Sequence, residues 1–138
     1  AVEQVLMLIL DVATRWSSTH QMLCRTLDFR DIIDSYVSRI CELQDFELSD
    51  ADWKAIELVT RWLKTFRSAT TQMSTTKISM LSTTHAIFWG LQDHLKKVLR
   101  SLPDGISPRL RDGVIAAHEK LSEYYYKYDE SPLYTWAA

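Results

Sequence analysis

The chain has 138 residues, long enough for one domain with a sizeable core. Its formal net charge of −2 excludes a globally basic nucleic-acid binder but leaves room for a local basic patch. Only 3 Gly and 3 Pro are present, and so few chain breakers argue for long helices and against a sandwich or barrel.

The first ten residues form an apolar lead segment ending in VLMLIL, residues 5–10. The run is far short of the ~20 residues of a membrane span, so no membrane partner is expected. Glu3 and Gln4 precede it and no basic residue does, unlike a secretion signal. A buried strand or a first helical turn fits better, and at most one short strand is expected, near residues 5–12. The missing initial Met and the ending LYTWAA read as cuts through a longer protein.

Four helical tracts follow. In the first, residues 14–43, Trp16, Leu23 and Leu27 share one stripe, which Ile32, Ile33, Tyr36, Val37, Ile40 and Leu43 continue with a slight shift. Asp28 and Asp31 are placed to restart a helix, so the tract is two helices, or one with a kink near residues 26–29. The second, residues 49–73, opens on Ser49 as N-cap with Asp52 in the capping-box position, and Leu48 and Trp53 suit a hydrophobic staple. Asp50 favours the helix dipole there. In the third, residues 79–102, Met80, Thr84, Ile87, Leu91, Val98 and Leu102 form a seam opposite Gln92, Asp93, Lys96, Lys97 and Arg100. LPDG, residues 102–105, ends it with a turn. The fourth, residues 107–129, starts on Ser107 and Pro108 and turns Leu110, Val114, Ala117, Leu121, Tyr124 and Tyr128 inward. Gly113 inside it costs ~1 kcal/mol against Ala, for which close helix packing is one reason. The expected architecture is all-α, a single helical bundle of four to six helices over 1–138.

Few groupings carry chemistry. Asp28, Asp31 and Asp34 recur every third residue, but a solvated helix face explains them without a metal ion. His20, His85, His94 and His118 show neither HExxH nor zinc-finger spacing, and His118 falls beside the apolar stripe. No nucleophile elbow, Cys–His grouping or phosphate loop stands out. Cys24 and Cys41 read as free buried thiols. No cofactor or metal is expected in this stretch. Basic residues do cluster: Lys96, Lys97, Arg100, Arg109 and Arg111 flank the 102–105 turn as possible phosphate contacts, and Lys54, Arg61, Lys64 and Arg67 lie along the second tract. The bland alternative is a solvated surface with Glu57 pairing Arg61. Trp53 and Trp62 read as core anchors. Trp16, in the first turn of its helix, can pack inward, or stand at the rim with Arg15 holding a phosphate and its ring stacked on an extruded base.

DVATRWSSTHQML, residues 11–23, resembles the D-x-x-TRWNSTY-x-ML segment of the hAT transposase superfamily. The stretch from Leu48 onward resembles that family's W-x-x-[IL]…L…F…T…LS…T core, and HEKLSEYYYKYDESPLYTWAA resembles its KL-x-KYW stretch, fungal members being nearest. The resemblance implies part of the all-α insertion that interrupts a ribonuclease-H-like catalytic domain. It implies that Trp16 stacks on a flipped base at the transposon end, with Arg15 beside it. Ser17 replaces the family Asn and His20 the family Tyr. The family's catalytic carboxylates, zinc-finger DNA-binding domain and dimerisation segment lie outside the matched stretch, so no acidic residue here is assigned to catalysis. The expected function is a non-catalytic helical domain supporting transposon-end DNA binding in the nucleus. The alternative is a reused remnant acting as a protein-interaction module, with a protein partner or self-association, including a secreted effector-like protein.

Overall fold

A computed structural model of the chain describes residues 7–12, 15–74 and 81–130, with the backbone alone at residues 16, 81, 82, 128 and 129. The all-α class holds. Helix α1 spans Trp16–Asp28, α2 Arg30–Arg39, a 3₁₀ helix Cys41–Phe46, α3 Asp50–Met73, α4 Leu81–Arg100 and α5 Pro108–Asp129. No strand occurs among the described residues; residues 5 and 6, where one could begin, lie outside them. The chain divides into two compact units, Ala1–Lys64 and Thr65–Ala138.

In the first unit a single residue separates two helices. Phe29 has φ −109° and ψ 17°, and its N–H reaches back to Arg25 O and Thr26 O at 3.3 and 3.2 Å. Its carbonyl already accepts the N–H of Ile33 at 2.9 Å, so α1 ends where α2 begins. The cap is therefore Phe29, with no side-chain cap bond, and not Asp28. α3 starts as the local chemistry dictates. Ser49 N–H donates to Asp52 Oδ2 at 2.9 Å, and Asp52 N–H donates to Ser49 Oγ at 3.2 Å, a reciprocal capping box.

Trp53, 1% exposed, anchors this unit. A buried indole N–H needs an acceptor. It donates to Asp34 Oδ1 at 3.0 Å, so Asp34 is engaged by α3 and is not a simple solvated carboxylate. The Arg30 guanidinium lies 5.2 Å from the Trp53 ring centroid and pairs with Asp50 at 2.8 Å. Trp62 is only half-buried. α2 has no buried residue. Its apolar face, with Leu8, forms an open groove of about 340 Å³ lined by Phe29, Ile32, Ile33, Tyr36 and Val37. Cys24 is half-buried and Cys41 is exposed; both are free, so the expectation of two buried thiols fails at Cys41, which the 3₁₀ segment leaves facing water. Glu57 and Arg61 form no ion pair.

In the second unit α4 and α5 pair antiparallel. His85 meets Tyr125 and Gln92 meets Ser122, so the chain runs up α4 as it runs down α5. Leu91, Leu95, Val98 and Val114 are buried between the helices with Thr84, and Ala69 of α3 is buried in the same unit. Phe66 packs edge-on against His94 at 6.4 Å between centroids. Gly105, at φ 84°, makes the turn between α4 and α5 in a conformation that other residues rarely adopt. Two expectations for α5 fail. Ala117 and Tyr124 are exposed, because the inner stripe passes instead through Leu110, Val114, His118, Leu121, Ser122 and Tyr125, where polar contacts to α4 help to set the rotation. A Cβ added at Gly113 would meet nothing within 4 Å, so close packing does not explain that glycine. Met80 and Tyr128, expected on the inner faces, lie outside the described side chains.

Candidate nucleic-acid interface

The sequence points to the start of α1, and the geometry there begins with Asp11. Ahead of the helix, Arg15 N–H donates to Val12 O at 2.7 Å. The Asp11 carboxylate then clasps the first turns of α1. Its Oδ1 lies 2.6 Å from Ser18 Oγ and accepts from Thr19 Oγ1 at 2.9 Å. Ser18 Oγ also accepts Val12 N–H at 2.8 Å and lies 2.6 Å from Arg15 O. A hydroxyl has one proton, so Ser18 serves Asp11 or Arg15 O at any instant while both stay within its reach. The Ser18 hydroxyl, first, and the Thr19 hydroxyl hold the Asp11 carboxyl below the usual aspartate range.

Ser18 and His20 are buried, at 9% and 6% exposure. The clasp thus fixes the backbone on either side of Arg15 and Trp16. Arg15 is the N-cap residue of α1, with φ −131° and ψ 90°, and its side chain is exposed. Among the described residues nothing pairs with its guanidinium. The start of α1 carries no side-chain cap and no acidic residue in its first turn, unlike that of α3. Trp16 is the first residue of α1; its indole, the expected stacking face, lies outside the described side chains. One turn into α1, His20 Nε2 lies 3.7 Å from Cys24 Sγ. The expectation of no Cys–His grouping fails here, since i, i+4 spacing on a helix brings the two side chains together. Among the described residues no three His, Cys, Asp or Glu side chains gather as metal ligands.

The basic residues near the α4–α5 turn divide into three groups. Arg100 and Arg111 come together, lining a groove of about 370 Å³ with Asp104, Gly105 and Pro108. Lys96 and Arg109 are exposed and have no ion-pair partner among the described residues. Lys97 is not free: it pairs with Asp93 at 2.6 Å, and that hydrogen bond holds the Asp93 carboxyl below the usual range. Lys97 and Arg100 also sit in the last turn of α4, where the helix dipole favours cations.

Sequence reasoning missed the Asp11 clasp, whose signal is the Asp-x₆-Ser-Thr spacing inside the resemblance itself. It also passed over Trp89, a Trp 60% exposed in the middle of α4.

Residues 1–62 match the family model described as the ZBED1 RNase-like helical domain, a stretch that contains α1, α2 and the start of α3. Over 123 residues, 89% of its length, the chain is 32% identical to a Talaromyces stipitatus protein named "Putative transcriptional regulator tpeD". It spans 12% of that protein. No solved structure matches. No helix among the described residues is long and apolar enough to cross a membrane.

Proposed function

We propose that the chain is a non-catalytic helical domain of hAT-transposase descent that engages DNA as part of a longer nuclear protein. The matched helical-domain model covers the TRW stretch, and the fungal relative's name is that of a regulator. The observation that carries the reading is the Asp11 clasp. It sets an exposed Arg15 at a helix start with no side-chain cap and no acidic residue of its own, the nearby Asp11 carboxylate being bonded to Ser18 and Thr19. Backbone N–H groups and the positive end of the dipole attract phosphate there, and Arg15 adds a charge-assisted donor. Trp16, next in the chain, is the base-stacking residue in this reading. In the second unit Lys96, Arg100, Arg109 and Arg111 form a set of phosphate contacts of their own, with Lys97 joining them when Asp93 releases it. Asp11 and Asp34 are engaged by Ser18, Thr19 and Trp53, so neither is given a catalytic role. The reading needs no cofactor.

The test is titration of the chain with a hairpin-ended duplex carrying a flipped or flapped base, over a salt series. Trp16→Ala weakens binding by roughly 5- to 150-fold, the range for loss of one stacked base. Arg15→Ala flattens the dependence of log affinity on log salt by about 1. Equal affinity in the parent and both variants refutes the reading. A second reading, a protein-interaction module, is favoured by the open apolar groove beside α2. It gains if no DNA binds at low salt while a protein partner or a self-associated species forms.

A further inference from the structure

The exposed face of α4 sets two of those phosphate contacts, Lys96 and Arg100, in line with an aromatic that the reading above does not use. Residues 85, 89, 93, 96 and 100 recur at spacings of three and four, so they lie on one side of the helix. They are His85, Trp89, Asp93, Lys96 and Arg100, with Lys97 on the same flank. A Trp on a water-facing helix surface is costly, and here it is 60% exposed. It shares its stripe with three cations and one carboxylate. That carboxylate, Asp93, bonds Lys97, and among the described residues Lys96 and Arg100 form no ion pair, though both feel the Asp93 charge. At 1.5 Å rise per residue, Lys96 lies about 10 Å and Arg100 about 16 Å along the axis from Trp89. α5 borders the stripe on one side. Gln92, one turn beyond Trp89, donates to Ser122 at 3.2 Å, and His85, one turn before it, lies 2.7 Å from Tyr125 Oη. Tyr126, exposed, packs edge-on against Tyr125 at 6.2 Å. These contacts anchor the turns on either side of Trp89 to α5, so the helix face that bears the indole is braced.

We infer that this face of α4 is a binding site for single-stranded nucleic acid, with Trp89 stacking one base and Lys96 and Arg100 holding the phosphates that follow. The chemistry is that of sequence-tolerant strand binders, an aromatic platform in line with cations. The span from Trp89 to Arg100 suits the lower end of their site sizes, ~4 nucleotides. A duplex hides its base faces within the stack and would meet only the cations. Asp93 is a brake: its charge opposes the strand and its bond withholds Lys97. The inference rests on the nucleic-acid reading above in that both take a polyanion and both give Lys96 and Arg100 to phosphates. The stripe lies wholly in the second unit, and different variants probe it.

The experiment titrates the whole chain with a short oligothymidylate and an oligouridylate at low salt, followed by fluorescence anisotropy of a labelled strand. The expected result is binding that Trp89→Ala weakens roughly 5- to 150-fold and Trp89→Phe largely keeps, since a phenyl ring still stacks. Asp93→Asn tightens binding and steepens the salt slope by about 0.7, the increment for one added phosphate contact on a single strand. A circular dichroism spectrum unchanged in each variant excludes misfolding as the cause. A preference for either oligonucleotide supports the site. Absence of binding to both strands, equal affinity in Trp89→Ala, or weaker binding in Asp93→Asn each overturns the inference. Trp16→Ala decides the α1 reading on hairpin DNA and Trp89→Ala decides this one on the single strands, so the two readings fail separately.

Discussion

Replacing Trp53 with alanine tests the account of the first unit most directly. An indole of this kind buries about 150–250 Å². At ~25 cal/mol per Å² that is worth about 4–6 kcal/mol, an upper figure because the unfolded chain already hides part of it. Large-to-small core substitutions at Trp cost ~3–5 kcal/mol, which agrees. The lost hydrogen bond adds little to this, because the Asp34 side chain is 42% exposed and water takes the place of the indole N–H. Arg30 keeps Asp50 after losing the ring. The reverse deletion behaves differently. In Asp34→Ala the acceptor goes, and the N–H of a residue 1% exposed is left unpaired, at a cost of ~1–3 kcal/mol. The expected order is therefore Trp53→Ala well above Asp34→Ala, with the first removing much of a typical total stability of ~5–15 kcal/mol. Urea unfolding followed by far-ultraviolet circular dichroism reads both. A loss under ~1 kcal/mol in Trp53→Ala refutes the reasoning, as does an Asp34→Ala loss that equals or exceeds it.

Other outcomes follow from single features. Asp11 has its pKa lowered by folding, so the clasp's contribution is full above the unfolded value and is lost as pH falls through the folded one; its carboxyl resonance titrates below the ordinary aspartate range, and Asp11→Asn removes that acid-side dependence. Ser49→Ala removes one half of a reciprocal cap and costs ~0.5–2 kcal/mol, measured by the same urea titration. Gly113→Ala and Gly90→Ala meet open space at helical positions and raise stability by ~0.4–1 kcal/mol each. Cys41 reacts with a thiol reagent faster than Cys24, since it is exposed and Cys24 is half-buried beside His20.

The parts legible in the sequence were those with local causes. Few glycines and prolines dictated helices, and Ser49 with Asp52 marked the start of α3 because a capping box needs only four consecutive residues. Residues 26–29 were readable as a break; that the hinge is Phe29 depended on backbone geometry that a side-chain pattern does not encode. The rotation of α5 was misread because apolarity alone placed Tyr124 inward. The helix turns Tyr125 to His85 and Ser122 to Gln92, and both bonds lie between residues 30 or more apart. Asp34 looked solvated for the same reason, its partner being a Trp on another helix. At the candidate site, Arg15 and Trp16 came from resemblance. The clasp that fixes them joins Asp11 to residues seven and eight further on, a spacing that side-chain periodicity does not mark.

α2 is ten residues long and has no interior of its own. That is below the ~12–15 residues at which an isolated helix persists in water. Its winding is therefore conditional. The Asp34 bond and the Arg30 contact tie it to the indole of Trp53, and the 30–39 segment becomes a gauge of that seat: as the ring loosens, its amide protons are the first to exchange with solvent.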